Sequence, residues 1–132
     1  MPRPVLIEHI PIRWGDMDAM NHVNNTVYFR YMEQARIAWY EKVFGELSHA
    51  RDEGMVIVNT SCTFLKPLTY PGTVEIRMAL GPAGRSSVES YYELRIGDVL
   101  YAEGAAKIVW IDIRRGKAIA LPQAIVAMCE GQ

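Results

Sequence analysis

The chain has 132 residues, of which 50% are hydrophobic and 22% charged, with a formal net charge of -1. That length fits one domain, residues 1–132, whose core is large enough to stand without disulfides or a structural metal. The near-neutral charge and scattered Lys and Arg exclude a nucleic-acid or anionic-membrane surface as the main function, and Cys62 and Cys129 fall in no metal-binding or disulfide pattern.

Residues 5–14 read as a first strand. Pro11 lies inside it and cannot donate to a ladder, so this strand belongs at an edge or is irregular there. The same opening stretch breaks its apolar residues with Glu8 and His9 and offers no small-residue cleavage site, so no signal peptide is expected. No apolar run approaches the roughly eighteen residues of a membrane span, and a reducing, cytoplasmic setting is the expectation.

A polar turn follows over residues 15–25, carrying Asp16, Asp18, His22, Asn21, Asn24 and Asn25. A helix is predicted over residues 26–44, because Tyr28, Met32, Ala35 and Trp39 recur on one face while Arg30, Gln34 and Glu41 fall opposite. Asn24 or Asn25 caps its start and Gly45 ends it. The helix is apolar around more than half its circumference, so a sheet should wrap it.

A loop over 46–54 leads to a strand at 55–65, whose opening Met-Val-Ile-Val is apolar on both faces, as in a central strand. Residues 73–80 alternate, with Val74, Ile76, Met78 and Leu80 inward. Residues 81–84, Gly-Pro-Ala-Gly, read as a turn, and residues 85–96 alternate again. Gly97-Asp98 is a two-residue hairpin signal. The strand at 99–111 places Ala102, Gly104 and Ala106 on one face, a trough into which a helix backbone can settle. A turn at 114–117, a short last strand and a brief helix at 122–128 complete the chain. One long helix followed by strands on short turns means antiparallel pairing and an α+β domain.

The junction between polar turn and helix is the place for chemistry, since the first N–H groups of a helix lack internal partners and carry partial positive charge. Asp16, Asp18 and His22 do not read as a metal site. A calcium loop needs an oxygen ligand at position 20 and glycine after it, where Met20 and Asn21 stand. His9 and His49 have no ligand spacing to His22. The plain alternative is that both aspartates only make turn hydrogen bonds. A serine-hydrolase elbow, a phosphate loop and a cysteine with a base beside it are all missing from the sequence.

The stretch Arg-Trp-Gly-Asp-Met-Asp-Ala-Met-Asn-His-Val-Asn-Asn, followed by Tyr-Phe-Arg-Tyr-Met-Glu-Gln-Ala-Arg, resembles the hotdog-fold acyl-CoA thioesterases of the 4-hydroxybenzoyl-CoA thioesterase type. The likeness extends more loosely through Thr63–Pro67 and residues 84–87 to Gly104 and Asp112. It implies a hotdog fold, an antiparallel sheet of about five to six strands around one long central helix. It also implies hydrolysis of an acyl-CoA to the acid and free coenzyme A, with no cofactor and no metal.

On this resemblance Asp18 is the catalytic carboxylate, acting as nucleophile or as general base for water, and the Asn25 N–H holds the oxyanion. Asp16 orders the turn. His22 and Asn24 shape it too and, with Lys66, Arg85, Ser86 and Ser87, are the candidates for contact with substrate and coenzyme A; Arg114 and Arg115 have weaker support. Glu33 is assigned to structure, Arg36 to a helix ion pair, and Tyr28, Tyr31 and Trp39 to the core. The family usually has glycine where Asn21 stands, a departure that bears on pocket shape. The fold implies at least a homodimer, with tetramers common. The rivals are an acyl-carrier-protein thioesterase, a hotdog dehydratase, and a non-catalytic acyl-CoA-binding module.

Overall fold

A single helix, α1 (Asn25–Phe44), forms the centre of the fold in a computed structural model that describes residues 1–45 and 52–131. The Asn24 side chain accepts the Thr26 N–H at its start, and Gly45, at φ +82°, closes it. Tyr28, Met32, Ala35 and Trp39 form the buried stripe, and Arg30, Gln34 and Glu41 are exposed. The predicted face is therefore the core face.

Around it run β1 (Pro4–Pro11), β2 (Glu53–Phe64), β3 (Thr73–Ala83), β4 (Ser87–Ile96), β5 (Val99–Asp112) and β6 (Lys117–Ala118), with a short α2 (Gln123–Cys129) closing the chain. The sheet order is β1-β3-β4-β5-β2, with β6 on the end of β5, and every pairing is antiparallel. A register shift interrupts each of the four long pairings. Such bulges increase twist and bend strands, which lets the sheet curl about a helix. Val74, Ile76, Met78, Val88, Tyr92, Leu94, Ala102, Ala106, Ile108 and Trp110 all turn inward and are buried. Pro11 ends an edge strand, as its missing N–H requires.

Four expectations are corrected. The apolar start of β2 suggested a central strand, yet β2 is the last strand of the sheet, with Val56 37% and Val58 56% exposed. Two-faced apolarity does not by itself place a strand inside the sheet. Gly81 begins no turn, because β3 runs on through a bulge to Ala83, which pairs with Val88, and the reversal comes at 84–87. Gly81 matters instead for space, since a Cβ there would press against the Tyr91 ring at 3.1 Å. The small-residue trough on β5 is real, but the Met32 side chain fills it at Gly104, not the helix backbone. The first strand ends at Pro11, short of Trp14, which opens a single 3-10 turn. The predicted loop at 46–54 lies mostly outside the described residues.

Candidate active site

The turn before α1 is built in two steps. The 3-10 turn at Trp14–Asp16 sends the Asp16 carboxylate backwards, where Oδ2 accepts the Arg13 N–H at 2.9 Å and the Tyr31 hydroxyl at 2.8 Å. Tyr31 is buried in the second turn of α1. Burial, and then its bond to Asp16, pushes the phenol pKa up. Asp16 thus ties the turn to the helix body.

Residues 18–22 then form a small hairpin. The Asp18 N–H donates to the His22 carbonyl and the Asn21 N–H to the Asp18 carbonyl, both at 3.0 Å, while Met17 pairs with Val23. Asn21 sits at φ +62°. This is the three-residue hairpin in which a type I turn is followed by one left-handed residue, and asparagine is the residue after glycine that best accepts that backbone.

The hairpin presents the Asp18 carboxylate outward with both oxygens held. Oδ1 accepts the Met20 N–H at 2.9 Å, and Oδ2 accepts Nδ2 of Asn24 at 3.0 Å. Asn25, the first residue of α1, follows directly. Among the described residues its backbone N–H donates to no acceptor, as the start of a helix leaves it.

Asp18 and Asn25 line one cavity of about 490 Å³, within the usual range of small-molecule sites. His22 and Lys66 supply its other polar groups, and Met20, Val23, Tyr28, Phe64, Leu65 and Pro67 its apolar wall. Tyr28 secures that wall. Its hydroxyl accepts the Leu68 N–H at 3.0 Å and reaches the Lys66 carbonyl at 3.5 Å, and its ring meets Phe64 edge-on at 4.9 Å. Its own phenol pKa is raised, chiefly by burial. Phe64 and Leu65 remain 44% and 49% exposed, an apolar opening beside a carboxylate.

The model of the thioesterase-like superfamily matches residues 12–128, a span that takes in the turn, α1, the sheet from β2 onward and most of α2. The chain belongs to that superfamily. Its fold is the hotdog fold. A solved protein of Pseudomonas aeruginosa described as a candidate thioesterase is 38% identical to this thioesterase-like chain, covering 95% of it and 98% of the other, with a TM-score of 0.90. A candidate acyl-CoA thioesterase of Xanthomonas campestris is 33% identical over 83% of this chain and 95% of its own, with a TM-score of 0.76. A candidate esterase of Aquifex aeolicus is 26% identical over 117 residues, 87% of this chain and 90% of that one. Thioester hydrolysis is the class of chemistry that the superfamily supports.

Within this thioesterase-like chain the expected site residues fall into two groups. Asp18, His22, Asn25 and Lys66 share the cavity, and Asn24 lies behind it with its side chain engaged in the turn. Arg85, Ser86 and Ser87 lie elsewhere, in the β3–β4 turn, where the Ser86 carbonyl accepts the Trp110 N–H and the Arg85 carbonyl the Leu121 N–H. Trp110 stacks on Tyr40 near the far end of α1, so one chain does not bring these residues to Asp18. Glu33 pairs with Arg30 at 2.9 Å and lines a different cavity with Arg13 and Tyr31. That pairing also corrects the expectation for Arg36, which is buried without an ion pair among the described residues; its guanidinium lies over the Tyr92 ring at 5.6 Å and reaches the Tyr92 hydroxyl at 3.4 Å.

The apolar wall is not among the features that the sequence singles out. Phe64 and Leu65 precede Lys66 in a segment that the family resemblance already covered, and two large apolar residues at a strand end beside a lysine were the available signal. The sequence places Tyr28 mainly in the core. A buried tyrosine whose hydroxyl needs a partner was the signal there.

Proposed function

We propose that this chain is an acyl-CoA thioesterase, converting acyl-S-CoA and water to a carboxylic acid and free coenzyme A. One observation carries the reading: Asp18 and Asn25, whose N–H donates to no acceptor among the described residues, line the same cavity at the positive end of α1. The thioester carbonyl oxygen would lie against the Asn25 N–H, which stabilises the negative charge that develops as the carbonyl carbon becomes tetrahedral. Asp18 then acts in one of two ways. It attacks the carbon itself, expelling the coenzyme A thiolate and leaving an anhydride that water cleaves, or it takes a proton from an attacking water. The apolar wall suits the acyl group, and Lys66 suits an anionic part of the coenzyme.

The reading extends to a second copy of the chain. The free edge of β2, with Val56 and Val58 exposed, suits pairing in a homodimer, or a homotetramer built from dimers. A partner's Arg85, Ser86 and Ser87 would then be available to a coenzyme that the local chain's own copies do not reach.

The test is thiol release from a panel of acyl-CoAs of graded size, acetyl to palmitoyl together with benzoyl, beside the matching acyl-carrier-protein thioesters. Hydrolysis of one or more acyl-CoAs well above background is the expected result. Turnover confined to carrier-protein thioesters would move the substrate class. Tight binding of acyl-CoA without hydrolysis would make the domain a binding module.

A further inference from the structure

The sequence makes Asn24 a candidate for contact with substrate; its bonds give it another task. We propose that Asn24 is the positioning residue of the site, one planar amide that caps α1 with its oxygen and holds the Asp18 carboxylate with its nitrogen. The proposal rests on the reading of Asp18 as the reacting carboxylate.

Oδ1 of Asn24 accepts both the Thr26 N–H at 2.9 Å and the Thr26 hydroxyl at 2.6 Å. Two donors on one oxygen fix the plane of the amide, and with it the direction of Nδ2, which donates to Oδ2 of Asp18 at 3.0 Å. The main chain of Asn24 is fixed as well. Its N–H donates to the Asp16 carbonyl and its carbonyl accepts the Val27 N–H, both at 2.9 Å.

The last torsion of an aspartate is broad and roughly two-fold, so a carboxylate gripped at one oxygen still swings. The Met20 N–H grips one oxygen from within the hairpin. The Asn24 amide grips the other from the helix, and the next peptide along carries the N–H assigned to the oxyanion. One side chain therefore sets the relation between the two groups that must act together, which is where an error of an ångström costs most rate.

Few residues fit both tasks. Serine supplies a capping oxygen but no donor that reaches Asp18. Aspartate supplies the cap and suits a helix N-terminus, but it replaces the donor with a negative charge beside a carboxylate. The other titratable groups near Asp18 are His22, Lys66 and Tyr28 around the cavity and Asp16 in the turn, and all of them stay in place in these variants.

The experiment compares wild type, Asn24→Ser, Asn24→Asp and Asp18→Asn as full chains, with octanoyl-CoA and benzoyl-CoA as probes. It reads kcat and KM across pH, with a melting curve for each protein. Asn24→Ser should melt within about 3 °C of wild type, since the cap survives, yet lose roughly 10- to 100-fold in kcat with KM within about threefold. Asn24→Asp should lose at least as much, and the acid limb of its rate profile should move to higher pH by about one unit, because a like charge now faces Asp18. A folded Asn24→Asp with kcat within about twofold of wild type would overturn the proposal. So would a loss confined to KM in Asn24→Ser, which would return Asn24 to substrate binding. Asp18→Asn separates the two readings. If it retains wild-type turnover, the assignment of Asp18 fails and this proposal with it; if it is inactive while the Asn24 variants keep their kcat, only the positioning role fails.

Discussion

Asp16 and Asp18 are the same residue type two positions apart, yet their carboxylates face opposite tasks. Asp16 accepts bonds from Arg13 and from the buried Tyr31, whereas Asp18 stands at a cavity. Asp16→Asn should therefore lower stability by about 1–2 kcal/mol in chemical denaturation while leaving kcat within a few-fold; the opposite pattern would mean that the two roles are exchanged. The pair was legible in the sequence, and the family pattern points to the second aspartate, but the bonds that separate them depend on a 3-10 turn that no local propensity announces. Asn21 shows the reverse case, since the glycine usual in the family at that position is itself a signal of left-handed backbone, and φ there is +62°. Asn21→Gly should fold as well as wild type, and Asn21→Val should melt several degrees lower. Cys62 is half-buried, and burial pushes its thiol up to about 11. A raised value keeps the thiol protonated near pH 8, so alkylation should be slow there and should rise only as pH approaches 11.

At the scale of elements, the Met32 side chain of α1 makes the tightest approach to β5, at Gly104. A Cβ on Gly104 would fall on the sulfur of Met32, with the Ser61 carbonyl close by, so the contact has no slack. Gly104→Ala should destabilise the fold by about 1–3 kcal/mol, and shortening the opposing residue with Met32→Ala in the same chain should recover part of that loss. Denaturant midpoints of the two single variants and the double variant measure the coupling; strict additivity would contradict it. Ala102, Gly104 and Ala106 announced close packing in the sequence because small residues in register leave room, but which atoms take the room is a tertiary fact. Gly81 and Pro82 misled for a related reason. Glycine and proline weaken a ladder without ending it, and β3 continues past them through a bulge.

The whole molecule leaves β2 at the edge of its sheet with Val58 more than half exposed. Pairing of β2 with a second copy, as proposed above, would also account for the scattered candidates, since Phe64 pairs at Ala102 and Ser87 at Val109, about 24 Å apart along β5 at ~3.4 Å per residue. Val58→Lys should reduce the mass seen by light scattering toward that of one chain and lower turnover with it; an unchanged mass would contradict β2 pairing. Whether Asp18 and the Asn25 N–H share one reacting centre is decided by the kcat of Asp18→Asn on the acyl-CoA that wild type hydrolyses best. A loss of roughly 10²- to 10⁴-fold with an unchanged melting curve is the expected result. Turnover within about tenfold of wild type in a folded protein would contradict it.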